Sequence, residues 1–133
     1  MNRWITARQR QAISRMAGRN DGEKYAAWYL RRHGYQLLEQ NYRLPYAEID
    51  IIAQTGQTIV FVEVKHRSST AYGRPGEYVT LPKQQKIRRA AQQYILAHKL
   101  KYWDFGFRFD VIEITGPFTS AALPALNHIP NAF

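Results

Sequence analysis

A chain of 133 residues with 19 Lys and Arg against 10 Asp and Glu, and no cysteine, is bounded before any motif is considered. The length suits one domain with a real core, disulfides and thiolate metal sites are excluded, and no apolar run of about 18 residues offers a membrane span. A net charge of +9 points to a polyanionic partner, nucleic acid before a membrane surface, and the lack of cysteine fits a reducing compartment.

The chain opens with a basic arm over 1–19, where Arg3, Arg8, Arg10, Arg15 and Arg19 precede the first acid, Asp21. One domain is expected over 20–133. Asn20-Asp21-Gly22-Glu23 reads as a helix start and Gly34 as its stop. Glu23 shares a stripe with Ala26, Ala27 and Leu30. It suits two roles equally: a capping-box carboxylate reaching back to Asn20, or an acid delivered to the sheet. Tyr25, Trp28, Tyr29 and Arg32 take the other side, read as packing, with a dimer contact as the alternative. Tyr35–Arg43 reads as an edge strand closed by Pro45.

Ala47–Ala53 and Thr58–Lys65 follow as a hairpin around Gly56. Alternation puts Ala47, Ile49 and Ile51 on one face and Glu48, Asp50 and Ile52 on the other. In the second strand Glu63 and Lys65 share the face of Ile59 and Phe61, opposite Val60, Val62 and Val64. A turn centred on Thr55-Gly56 pairs Asp50 with Phe61 and Glu48 with Glu63, making Asp50 and Glu63 diagonal neighbours roughly 7–8 Å apart. Two carboxylates about 5 Å apart repel by about 3 kcal/mol at an effective dielectric of about 20. Protonation, Lys65 or a divalent cation must offset that, and Mg²⁺ suits acidic oxygens beside a phosphate.

Ser68–Pro82 is a Ser-, Gly- and Pro-rich loop carrying Tyr72 and Arg74. Lys83–Lys99 has the clearest helical period, with Ile87, Ala90, Ala91, Tyr94, Ile95 and His98 on one stripe; His98 is expected in the core. Lys83, Lys86, Arg88 and Arg89 crowd its first turns, opposing the helix dipole but suited to gripping phosphate. Phe107–Ile114 completes a strand–helix–strand crossover with parallel strands, Asp110 is expected to pair structurally with Arg108, and the Pro-containing tail is expected to form a short cover. No zinc spacing links His33, His66, His98 and His128, and no phosphate loop or nucleophile elbow occurs.

The order Glu23, Asp50, Glu63-Val64-Lys65 resembles the PD-(D/E)xK nuclease superfamily, especially its archaeal Holliday-junction resolvase branch. Gly22-Glu23, Asn41-Tyr42-Arg43, Glu48-Ile49-Asp50-Ile51-Ile52, Val60–Lys65, Tyr72-Gly73, Lys83-Gln84 with Lys86, Arg108-Phe109-Asp110-Val111 and Asn131-Ala132-Phe133 are similar to the small YraN-like bacterial family, over roughly 20–133. Ala47 stands where that family usually has Gly. The resemblance implies an α/β, restriction-endonuclease-like fold: a mixed central sheet with a βαβ crossover, flanked by helices. It also implies a cytoplasmic Mg²⁺- (or Mn²⁺-) dependent endonuclease acting on DNA, at branched or otherwise non-standard structures. Asp50, Glu63 and Glu23 would hold metal, Lys65 would position water, and Lys83, Gln84, Lys86, Tyr72 and Arg74 would contact nucleic acid. By analogy a homodimer is open. The rival reading is a non-catalytic nucleic-acid-binding or scaffolding protein with the same fold.

Overall fold

The architecture follows from strands too apolar to leave either face in water. In Ile59–Val62 every side chain is buried, as expected where both sheet faces are covered. The computed structural model describes residues 21–67, 79–119 and 122–133. The elements are α1 (Asp21–Arg32), β1 (Gln36–Leu44), β2 (Ala47–Thr55), β3 (Thr58–Arg67), α2 (Leu81–Ala97), β4 (Gly106–Thr115) and β5 (Ala125–Ile129). The five strands form one mixed sheet in chain order. β1–β2, β2–β3 and β4–β5 are antiparallel, whereas β3 and β4 are parallel and joined through α2. The mixed sheet and the crossover thus match the α/β expectation. Among the described residues no helix is long and apolar enough to cross a membrane.

Each helix covers one face. Tyr25, Ala26, Ala27 and Leu30 of α1 pack on Ile51, Ala53, Val60, Val62, Ile112 and Ile114. Ile87, Ala90, Ala91, Tyr94 and Ile95 of α2 pack with Ile49, Ile52, Ile59, Phe61 and Val111. Tyr25 is 0% exposed, so it cannot serve a dimer contact, and Trp28 and Tyr29 pack against the same core. Gly22 lets α1 approach β3: a Cβ there would meet His66 Cβ at 3.2 Å and Ile114 Cδ1 at 3.6 Å. Because His66 Cβ is fixed to its strand, helix or strand must shift to admit a methyl group. Gly22→Ala is therefore expected to lower stability by about 1 kcal/mol in urea unfolding, despite alanine's better helix propensity.

Three expectations change. The hairpin turns on Gly56-Gln57, with Gly56 at φ 56°, and pairs Thr55 with Thr58 and Ile51 with Val62. Phe61 therefore faces Ile52, not Asp50. Glycine at the first of two turn residues supplies the positive φ such a loop needs, which a turn on Thr55 does not. Alternation in β2 also breaks: Ile49 joins the α2-side core and Ile51 the α1-side core, while Ile52 lies with Ile49. The break sits at Asp50, opposite the stretch of β1 where Asn41 takes φ 54°. Finally, His98 is an exposed helix C-cap, its ring 4.0 Å from that of Tyr94 and its Nδ1 bonded to the Tyr94 carbonyl.

The tail, expected as a short cover, packs with Ala125–Ile129 as a fifth strand of the sheet. Asp110, fully buried, explains why: Arg108 donates to both its oxygens (2.8 Å each), His128 Nε2 lies 2.7 Å away, and the Asn131 amide donates at 2.9 Å. The expected Arg108–Asp110 pair is present and also anchors β5. The Ala132 amide closes the end on the Phe109 carbonyl.

Candidate active site

The acidic residues meet where β2 and β3 diverge. The antiparallel ladder ends at Ile51–Val62, so the next residues outward, Asp50 and Glu63, face one another across the open end of the hairpin. The Val64 amide would lack a partner there; Asp50 Oδ2 accepts it at 2.8 Å. The aspartate side chain thus replaces a missing backbone acceptor, fixing one carboxylate oxygen.

α1 brings Glu23 to the same place. Glu23 stands close enough to Asp50 for its charge to raise the Asp50 carboxyl. In the amide orientation that satisfies its surroundings, Asn41 donates to Glu23 Oε2 and to Glu48 Oε1, both at 2.9 Å. The helical delivery of Glu23 is therefore the arrangement found; the capping partner Asn20 lies outside the described residues. Glu48 stays exposed at the edge, with Arg43 Nε 3.4 Å from its Oε1.

Glu63 is 6% exposed, and two amines neutralise it. Lys83 Nζ lies 2.7 Å and Lys65 Nζ 3.3 Å from the same oxygen, Oε1. Lys83 reaches it from the first turn of α2, which is capped by Thr80, whose hydroxyl accepts the Lys83 amide, with Pro82 in the opening turn. An ammonium in that turn opposes the helix dipole; the buried Glu63 carboxylate supplies the stabilisation that exposure would not.

These contacts set the protonation states. Burial first, then the Glu63 charge and those of Glu23 and Glu48, raise Asp50 to about 7, against the opposing Val64 hydrogen bond. Glu23 is also raised, by burial and by Glu48. Burial and the neighbouring Lys83 ammonium push the Lys65 amine below the usual lysine range, outweighing the pull of Glu63. Burial lowers Lys83 as well, but its bond to Glu63 more than compensates and its amine is raised. The pair is thus split into a firm ammonium, Lys83, and a softer amine, Lys65.

Chemically this is a set of hard oxygen donors crowded enough to raise both Asp50 and Glu23 above the usual carboxylate range. Among the described residues no three or more His, Asp or Glu side chains close into a ready metal cage. The set fits Mg²⁺ or Mn²⁺ held by one or two carboxylates, Asp50 and Glu63, with water completing its shell. Glu23 would act through such a water.

Of the remaining expected contacts, Gln84 donates its amide to the Val79 carbonyl (3.0 Å) and Lys86 is exposed. Lys83 and Lys86 line an open pocket of about 320 Å³ with Tyr46, Glu48 and Thr80. Tyr72 and Arg74 lie outside the described residues, as does the 1–19 arm. The role of Asn41 is new; an asparagine in a strand pattern is a signal for positive φ, but its bridge between Glu23 and Glu48 needs the tertiary fold. Lys83 likewise belongs to the acidic centre as well as to the basic rim.

Comparison with known proteins covers the elements that build this site. Residues 22–114 match the uncharacterised protein family UPF0102. A UPF0102 protein of Alkaliphilus oremlandii is 48% identical over 112 residues, 84% of this chain and 93% of the relative. One of Geobacter metallireducens is 49% identical over 84% of this chain and 88% of its own, and one of Caldanaerobacter subterraneus 46% identical over 84% and 90%. With Glu23, Asp50, Glu63, Lys65 and Lys83 all inside the matched span, the chain belongs to the UPF0102 family.

Proposed function

We propose that this protein is a metal-dependent endonuclease of the cytoplasm that hydrolyses phosphodiester bonds in DNA, at branched or other non-standard structures, on a restriction-endonuclease-like fold. The observation that carries the reading is the meeting of Asp50, Glu63, Glu23 and a pKa-lowered Lys65 at one end of the sheet. Bound Mg²⁺ or Mn²⁺ would supply Lewis acidity and lower the pKa of a coordinated water. Asp50 and Glu63 would hold it, and Glu23 would orient a water in its shell. The softened Lys65 amine would position the attacking water and take up charge on the phosphoryl oxygens. Lys83 keeps Lys65 in that state and, with Lys86 and the opening turn of α2, would grip a flanking phosphate. Gln84 holds that turn in place, and Tyr72 and Arg74 would line the approach. Symmetric cleavage of a junction would call for a homodimer.

The double neutralisation of Glu63 by Lys83 and Lys65 also favours a second reading, a nucleic-acid-binding protein without turnover. A synthetic four-way junction incubated with Mg²⁺ or Mn²⁺ separates them. Hydrolysis is expected from the wild type and is expected to be lost in both Asp50→Ala and Lys65→Ala. Junction binding without cleavage under either metal favours the second reading; cleavage that survives both substitutions rules out this site.

A further inference from the structure

A second feature of the α2 side lies away from the carboxylates. From Leu81 to Trp103 the sequence has no acid but six cations: Lys83, Lys86, Arg88, Arg89, Lys99 and Lys101. α2 rises about 25 Å over its 17 residues, with four of these cations in its first turns near the acidic centre and Lys99 and Lys101 just past its far end, at the opposite end of the sheet. There the chain turns into β4 and exposes two large aromatic side chains, Tyr102 (67%) and Trp103 (81%). Their turn is firmly built. The Asp104 and Phe105 amides both donate to the Lys101 carbonyl (3.0 and 3.1 Å), and the Leu100 amide returns to Ile95 (3.0 Å).

Tyr102 packs edge-on against Phe107 with centroids 5.2 Å apart. Beside it lies an open groove of about 290 Å³ lined by Arg88, Gln92, Ile95, Tyr102, Phe107 and Phe109. Its walls are aromatic and aliphatic, and its polar side chains, Arg88 and Gln92, are both exposed. Lys101 Nζ stands 5.8 Å from the Trp103 ring centre. Holding this much apolar surface in water has no stabilising role for the monomer. Flat rings beside Lys101, with a second cationic cluster at the other end of α2, match single-stranded nucleic acid, whose bases stack on aromatics while its phosphates pair with cations.

We infer that the Tyr102–Trp103 turn and its groove form a stacking platform for unpaired bases of single-stranded nucleic acid whose backbone follows α2. This would let the protein select structures with an unpaired segment, a feature a regular duplex does not offer. The inference rests on the nucleic-acid half of the reading above and not on turnover. An oligothymidine titrated into the full-length protein tests it, with tryptophan fluorescence and anisotropy as readouts. Trp103→Ala is expected to weaken binding about tenfold, the effect of losing one stacked base, and to remove most of the fluorescence quenching. Run without divalent metal, the titration reads binding apart from cleavage. Because both rings are exposed, the variant is expected to keep the wild-type circular dichroism spectrum and melting temperature. Equal affinity of Trp103→Ala and wild type overturns the platform and leaves the nucleic-acid reading standing. Self-association that Trp103→Ala abolishes would also overturn it, giving the face to a second copy of the chain.

Discussion

Asp50→Asn is expected to make the protein more stable at pH 8, by up to about 4 kcal/mol, while removing the proposed metal ligand. Folded Asp50 keeps its proton to about pH 7, whereas the unfolded group releases it near 3.8. Between those values the folded state binds the extra proton, so stability is full below about pH 4 and is lost as pH rises through about 7. Asparagine imitates the protonated acid. Its oxygen can still accept the Val64 amide, and its NH₂ carries no charge to be repelled by Glu63, Glu23 and Glu48. Thermal melts of both proteins should therefore converge near pH 4 and draw apart as pH rises, the gap reaching its full size above about pH 7. Adding Mg²⁺ at pH 8 should raise the wild-type melting temperature and leave Asp50→Asn unchanged, because the cation would offset the carboxylate repulsion that remains once the proton has left. A wild type as stable at pH 8 as the variant would show that the carboxylates are not crowded as described.

Asp110→Ala is expected to have the opposite sign, a loss of about 3 kcal/mol at neutral pH. Burial alone would raise Asp110, but hydrogen bonds from His128, Arg108 and the Asn131 amide outweigh it and hold the carboxyl below its ordinary range. The stability this provides is present above the unfolded pKa and fades as pH falls through the folded one. Truncation leaves the Arg108 guanidinium, itself held charged by the carboxylate, with only Tyr35 Oη (2.8 Å) among the acceptors described. The Asn131 amide and His128 lose theirs, so β5 and the Phe133 contact on Phe109 should loosen first. Asp110→Asn should do nearly as badly, because its NH₂ would face Arg108 or His128, both donors. Denaturant melts give the loss, and amide exchange across Ala125–Ile129 shows whether it is local.

The contrast between these aspartates bears on what could be read without coordinates. Both sit in apolar strands, and the sequence places both in the sheet. Alternation along β3 correctly joins Glu63 and Lys65 to the face of Phe61, since a period of two depends only on backbone geometry. The i, i+3, i+4 pattern of α2 identifies its buried stripe from Ile87 to Ile95, and misplaces only His98, where the helix ends and periodicity stops applying. In β2 alternation fails between Ile49 and Ile51, because the strand is distorted opposite Asn41 and no local preference announces such a break.

What the sequence determined alone is the layered α/β arrangement, the strand–helix–strand crossover, the family, and the short list of acids and lysines. Those follow from hydrophobic period, turn residues and motif order, all of them local or additive along the chain. Tertiary structure decided which charge meets which: that Glu23 crowds Asp50, that Lys83 crosses from α2 to neutralise Glu63 and soften Lys65, and that Asp110 is an anchor for β5. Electrostatic interaction falls with distance and grows with burial, and both quantities exist only once segments remote in sequence have packed together.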